Sequence, residues 1–350
     1  MKKKLLLISN KSAHTYNYIN LIKDYFDDIL LITNEKNFEY PGPSIEVNFS
    51  LRQPLILPYT IKSIKEACRN FNPNIIHIHQ ANTCAYLSII ALKEFKIPIV
   101  LTAYGSDVLL TPKQGFFYKQ MVKYNLRNSQ YYTSDSLYMA SVMEGILKKN
   151  IDILIANFGI NVSDTNIDKE NIIYSNRLHK KLYRIDEIIK AFSKFLNNKK
   201  NENWRLIVAG EGEETNNLKQ LTQVLNLTNK VEFVGWLNKD KNTEYYKKSK
   251  IFISIPESDA TSISLLEAMY YKCVPVVSNL PANLEWIIDE FNGVVVENTS
   301  ANFIEKALNL DIEKLKLVND FLIKEKALPG KCKRKFIGMY EKIYNNLELK

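Results

Sequence analysis

Two carboxylates and a short run of hydroxyl-bearing residues could act together on one ligand. Asp259 and Glu267 have seven residues between them, and Thr261, Ser262, Ile263 and Ser264 lie inside that interval. The surrounding text reads as a buried strand over 251–255, a polar loop over 256–262, a helix with apolar Leu265, Leu266 and Met269, and a β-branched strand at Val274, Val276 and Val277. A loop that leaves a strand and enters a helix presents unpaired backbone N–H groups and the positive end of a helix dipole, and both attract an anion. Carboxylates beside an anion site fit a ligand that also carries hydroxyls, because an ionised carboxylate accepts hydroxyl protons. A sugar nucleotide combines the two. Spacing alone leaves a plainer account open, since Ser264 and Glu267 satisfy the S-x-x-E capping box and Asp259 suits a turn.

Positive charge follows a second strand, 172–175, where Arg177, Lys181 and Arg184 occur within eight residues. A charged loop after a strand is ordinary by itself. Strand 204–209 ends in the tight turn Gly210-Glu211-Gly212, and strand 231–234 ends at Gly235 and Trp236. In the first half, strand 99–103 runs into Tyr104, Gly105 and Asp107, and His14 lies in the loop after the first strand. His77 and His79 alternate on one strand and so face one side, but no third ligand accompanies them; packed or cleft-lining histidines are the expectation.

Taken in order, these segments resemble the retaining glycosyltransferases of family 4. The match rests on Leu265, Leu266, Glu267, Ala268 and Met269, then Pro275, Val276, Val277 and Glu285, with Arg177, the G-x-G turn, the segment ending at Gly235 and the TAYGSD stretch in the expected sequence. There are departures: Asp259 stands where Glu is commoner, Ala260, Thr261 and Ser262 replace a glycine-containing loop, and Tyr183 occupies the place of a lysine, with Lys181 and Arg184 beside it. Asn10, Lys11, Ser12 and Ala13 replace glycines in the loop after the first strand. The resemblance implies a GT-B architecture, two Rossmann-like domains facing across a cleft. It also implies retaining transfer of a hexosyl or N-acetylhexosaminyl group from a nucleotide-sugar, UDP by family frequency, to a glycan or lipid-linked acceptor in surface polysaccharide synthesis. Asp259 would hold sugar hydroxyls, Glu267 the ribose, and Arg177 with Lys181 or Arg184 the diphosphate. Gly210, Gly235, Trp236 and residues Thr261 to Ser264 would complete the donor site, and His14, Tyr104, Gly105 and Asp107 would border the cleft and acceptor. No D-x-D motif occurs, so no metal and no cofactor is expected.

The elements that must position these groups alternate strand and helix along the chain, which predicts α/β domains with parallel sheets. At 350 residues and 46% hydrophobic content the chain supports two such domains. Residues 1–162 are expected to bind acceptor and 163–328 the nucleotide-sugar, with a linker within 157–171 and a final helix in 329–350 crossing back to the first domain. The net charge of +9 suits a phosphorylated substrate or an anionic membrane surface, or reflects a Lys-, Asn- and Ile-rich composition. The stretch 113–128 interleaves Lys and Arg with Phe116, Phe117 and Tyr118 and is the candidate for peripheral contact at an inner membrane face. No nucleic-acid partner is implied. Four scattered cysteines fit a reducing cytoplasm, and the apolar start stops at Ser9, so it reads as a buried strand rather than a signal peptide. Two rivals remain at this point: a sugar-nucleotide epimerase on a similar scaffold, and a non-enzymatic sugar-binding protein.

Overall fold

A computed structural model describes residues 2–36, 40–163 and 168–349. The chain divides into one unit of residues 1–159 with 329–350 and a second of 160–328. The first unit runs β1 (Lys4–Ile8), α1 (Ala13–Ile22), β2 (Asp28–Thr33), β3 (Ser44–Glu46), α2 (Leu57–Phe71), β4 (Ile75–His79), α3 (Thr83–Leu92), β5 (Ile99–Thr102), α4 (Ser106–Leu109), α5 (Phe116–Arg127), β6 (Tyr131–Ser134), α6 (Leu137–Leu147) and β7 (Ile153–Ile155). Its seven strands are parallel in the order β3-β2-β1-β4-β5-β6-β7. Every residue of Leu5 to Ile8 and of Ile75 to His79 is buried, as expected of central strands covered on both faces by crossover helices.

The second unit runs β8 (Glu170–Ser175), α7 (Ile185–Leu196), β9 (Arg205–Ala209), α8 (Thr215–Val224), β10 (Val231–Gly235), α9 (Lys239–Lys248), β11 (Ser249–Ser254), α10 (Ile263–Tyr270), β12 (Val274–Ser278), α11 (Pro281–Leu284), β13 (Val294–Val296), α12 (Phe303–Leu308) and α13 (Ile312–Lys326). Six parallel strands lie in the order β10-β9-β8-β11-β12-β13. The last helix, α14 (Pro329–Glu348), belongs to the first unit, where Cys332, Phe336, Tyr340 and Ile343 join the core formed with Tyr18, Ile22 and Phe26.

Strand order reverses direction between β1 and β4 in one unit and between β8 and β11 in the other. Loops leaving the two strands of such a switch point diverge to opposite faces and open a crevice at the carboxyl edge. Boundaries differ in detail from the sequence reading. The final helix is preceded by a separate helix, α13, and within the stretch 113–128 Gly115, at φ 146°, separates the 3-10 turn 111–114 from α5. Of the expected linker, residues 164–167 lie outside the described residues, and Ile160 already belongs to the core of the second unit.

Candidate active site

In the second unit the switch point between β8 and β11 brings together groups far apart in the chain. Arg177 leaves the end of β8, and Asp259 lies in the loop between β11 and α10. The guanidinium donates one N–H to Asp259 Oδ2 at 2.7 Å and another to Ser262 Oγ, and its carbon sits 4.5 Å from the centre of the Tyr183 ring. Burial is the largest single effect and opposes the charge of Arg177, but Asp259 together with Tyr183 and Tyr246 outweighs it and the pKa is raised. Arg184, at φ 49°, uses its Nε–H on the carbonyl of Ile255 at 2.7 Å, which ties the 181–184 turn to the end of β11. Lys181 is exposed, and with Lys180, Arg184 and Lys190 it lines a groove of about 480 Å³ whose other walls include Asp186, Glu187, Glu214 and Glu257.

The helix after this loop starts differently from the capping-box expectation. Ser262 is the N-cap residue of α10, its side chain makes no cap bond and is taken by Arg177, and Ser264 lies inside the helix. Ser264 and Glu267 instead act on the hydroxyl of Tyr246, whose presence favours the ionised Glu267; Tyr246, a buried residue of α9, also receives the Asn176 amide at 2.8 Å. Burial raises the Glu267 pKa to about 7, against the opposing effects of the Tyr246 hydroxyl and Lys239. Thr261 and Ser262 are buried and Ile263 is half-buried.

Gly210 and Gly212 hold the Arg177 loop in place. At φ 106°, Gly210 could not carry a Cβ without meeting Arg177 O at 2.5 Å, and a Cβ on Gly212 would meet His179 O at 2.5 Å. The close approach is bonded: His179 N donates to Glu211 O at 3.1 Å, Glu214 N to His179 O at 2.9 Å, and Gly210 N to Gly235 O at 2.7 Å. His179 itself is buried, bonds Thr215 Oγ1 through Nδ1 at 2.8 Å, and has its pKa lowered by that burial. Trp236, beyond Gly235, is 72% exposed.

In the first unit the expected acceptor residues separate into two groups. Tyr104 bonds His79 Nδ1 at 2.7 Å, and the exposed His14 ring lies 5.3 Å from the Tyr104 ring in an edge-on arrangement. Asp107 is not a surface group. Its buried carboxylate accepts from Ala81 N at 2.6 Å, Gly105 N at 2.9 Å and Tyr104 N at 3.0 Å, so it shapes the loop at Gly105, φ 115°, from beneath. Burial raises its pKa while those N–H groups pull it down. His77 is packed: Nε2 meets Thr102 Oγ1 at 2.6 Å, and Nδ1 meets the hydroxyls of Tyr340 at 2.6 Å and Tyr18 at 3.0 Å. Burial and the neighbouring His14 lower the His79 pKa to about 3, so the imidazole is neutral.

Asn176, His179, Tyr183 and Tyr246 therefore belong to the site although their residue types carried no functional signal. Only Tyr183, which occupies the place of a lysine in the family pattern, was marked by the sequence.

The descriptions "Glycosyl transferases group 1" and "Glycosyl transferase 4-like" belong to two family models that match residues 157–323 and 3–136. The chain is 24% identical over 237 residues to N-acetyl-alpha-D-glucosaminyl L-malate synthase of Bacillus anthracis, covering 61% of this chain and 59% of that protein. It is likewise 24% identical over 231 residues to alpha-monoglucosyldiacylglycerol synthase of Streptococcus pneumoniae, covering 58% and 51%. The match thus spans between half and three fifths of these curated relatives. The fold is shared with Anabaena HepE, solved in complex with UDP, at a TM-score of 0.81 and 12% identity over 98% of this chain and all of that one. With both halves matched and both parallel sheets in place, the chain belongs to the GT-B glycosyltransferases of the family 4 type.

Proposed function

We propose that this glycosyltransferase moves a hexosyl or N-acetylhexosaminyl group from a nucleotide-sugar, UDP-linked, to a glycan or lipid-linked acceptor in surface polysaccharide synthesis, with retention at the anomeric carbon and without a metal ion. The observation that carries the reading is the Arg177 fork set between Asp259 and Ser262 at the start of α10. A guanidinium has five N–H donors in one plane, so donors remain for a diphosphate after these two bonds, and the helix N-terminus adds its own positive field. Arg177, with Lys181 on the adjoining turn, would stabilise the departing nucleoside diphosphate as the sugar becomes oxocarbenium-like. Asp259 accepts from sugar hydroxyls while Arg177 fixes its orientation, and Glu267 accepts from the ribose. Retention without a protein nucleophile has the acceptor attack from the leaving-group face, its proton passing to the diphosphate oxygen. The UDP complex of HepE and the sugar-transferring names of the two relatives support this reading.

Calorimetric titration tests it. UDP is expected to bind the intact chain in the presence of EDTA, more tightly than ADP or GDP, and Arg177→Ala and Glu267→Ala are each expected to weaken binding by roughly tenfold or more. Proton NMR of the product from an α-linked UDP-sugar then reports the anomer. Failure of every nucleoside diphosphate to bind would overturn the donor site, and a β-linked product would overturn retention.

A further inference from the structure

Five large apolar side chains stand exposed at one end of the first unit: Leu55, Ile56 and Tyr59 where the chain enters α2, and Phe116 and Phe117 in the first turn of α5. Leu55 is 87% exposed and Phe116 78%. Topology puts the two groups on one rim. The segments holding α2, α3 and α5 connect β3 to β4, β4 to β5 and β5 to β6, all parallel, so each helix begins at the carboxyl edge of the sheet and runs back. Helix α3 packs against both α2 and α5, so the three share a layer and the apolar tips flank the start of α3.

The charged side chains nearest the tips in the sequence are positive, while the carboxylates Glu46 and Asp135 stand further off, at the ends of β3 and β6. Arg52, Lys113 and Lys119 are exposed beside them. Between Val47 and Ser134 the chain has only three carboxylates, Glu66, Glu94 and Asp107. Asp107 is buried, Glu94 lies past the far end of α3 on Lys65 and Arg69, and Glu66 is over two turns into α2, 3.8 Å from Lys62. No exposed carboxylate from this stretch reaches the rim.

We infer that the α2–α3–α5 rim is a docking surface for an anionic lipid bilayer. Aromatic and aliphatic tips enter the boundary between headgroups and acyl chains, while the flanking lysines and arginine meet lipid phosphates. Leu55 and Ile56 decide against a nucleic acid, which offers bases to stack on aromatic rings but no hydrocarbon for branched aliphatic side chains. The surface is independent of the nucleotide site and stands whether or not that reading holds.

Flotation of the intact chain tests the inference, using vesicles of phosphatidylcholine alone or mixed with phosphatidylglycerol. The wild type is expected to float with the mixed vesicles at low salt, and to be released from them at high salt. Phe116→Ser with Phe117→Ser, and separately Leu55→Ser with Ile56→Ser, are expected to lower partitioning by roughly tenfold or more. Lys113→Glu and Lys119→Glu are each expected to lower it by at least roughly fivefold. All these residues are exposed, and unchanged UDP titrations of the variants would show that the second unit is intact. Wild type that stays in solution with anionic vesicles, equal flotation with neutral ones, or variants that bind as the wild type does would overturn the inference. Loss of UDP binding alone, with flotation intact, would count against the donor site and not against this surface.

Discussion

Glu267 is a carboxyl group whose surroundings resist its charge. Its pKa is held at about 7 in the fold against the ordinary 4.5, mainly because burial removes water. The unfolded chain therefore loses this proton near pH 4.5 while the folded chain keeps it until about 7, so this group's contribution to stability falls as pH rises through that window. Glu267→Gln is expected to flatten that fall: by thermal melts the variant matches wild type near pH 4 and exceeds it above pH 7. Nucleotide affinity should move the other way, rising in the wild type as the carboxylate forms near pH 7 and staying level in the variant. A melting curve in which the two proteins run parallel across pH would remove the buried-acid account. Arg177 shows the complementary case, a charge that burial opposes and that Asp259, 2.7 Å away, and the neighbouring tyrosines favour.

The elements that hold these side chains are short loops at the carboxyl edge of the second sheet. The Arg177 loop keeps its path because the Gly210-Glu211-Gly212 turn presses against it with no side chain between. Gly210→Ala meets two obstacles, a positive φ and a carbonyl oxygen at 2.5 Å that belongs to Arg177 itself. We expect it to destabilise the protein by about 2–4 kcal/mol in urea denaturation and to weaken UDP binding at least tenfold. Gly115→Ala is the control, because Gly115 has φ 146° but no neighbour within 4 Å; its cost should be about 1–2 kcal/mol with UDP affinity unchanged. Equal effects from the two substitutions would mean that the turn does not support the Arg177 loop.

Across the whole molecule, α14 is the distant segment that completes the first unit. Phe336 and Tyr340 are wholly buried, Phe336 against Tyr18 with ring centres 5.0 Å apart and Tyr340 with its hydroxyl on His77. Phe336→Ala is expected to cost roughly 3–5 kcal/mol by loss of buried area and the cavity left behind. Tyr340→Phe keeps the ring and should cost about 1–2 kcal/mol, since the fully buried His77 loses a hydroxyl partner. Urea midpoints of the intact chain measure both. A Phe336→Ala protein as stable as the wild type would show that α14 is an appendage and not part of that core.

Much of the fold was legible because helix and strand periodicities are written within a few residues: β9, β10 and β11 lie within two residues of the strands read at 204–209, 231–234 and 251–255. The order of the family-like segments was legible for the same reason. Strand adjacency was not, because the pairing of β8 with β11 depends on the burial of the whole sheet, and that pairing is what joins Arg177 to Asp259 across 82 residues. The local pattern at Ser264 and Glu267 suggested a helix cap, yet Ser262 is the N-cap residue of α10, and Ser264 and Glu267 face Tyr246 from another helix. Asp107 read as a ligand-facing acid but is used up by three backbone N–H groups, one of them 26 residues away. The sequence by itself determined which residue types and which alternating elements this protein has, because those are local properties of the chain. Only the tertiary structure decided which of those residues meet, which are dry and which keep a proton, because contact, burial and electrostatic field are sums over distant parts of the fold.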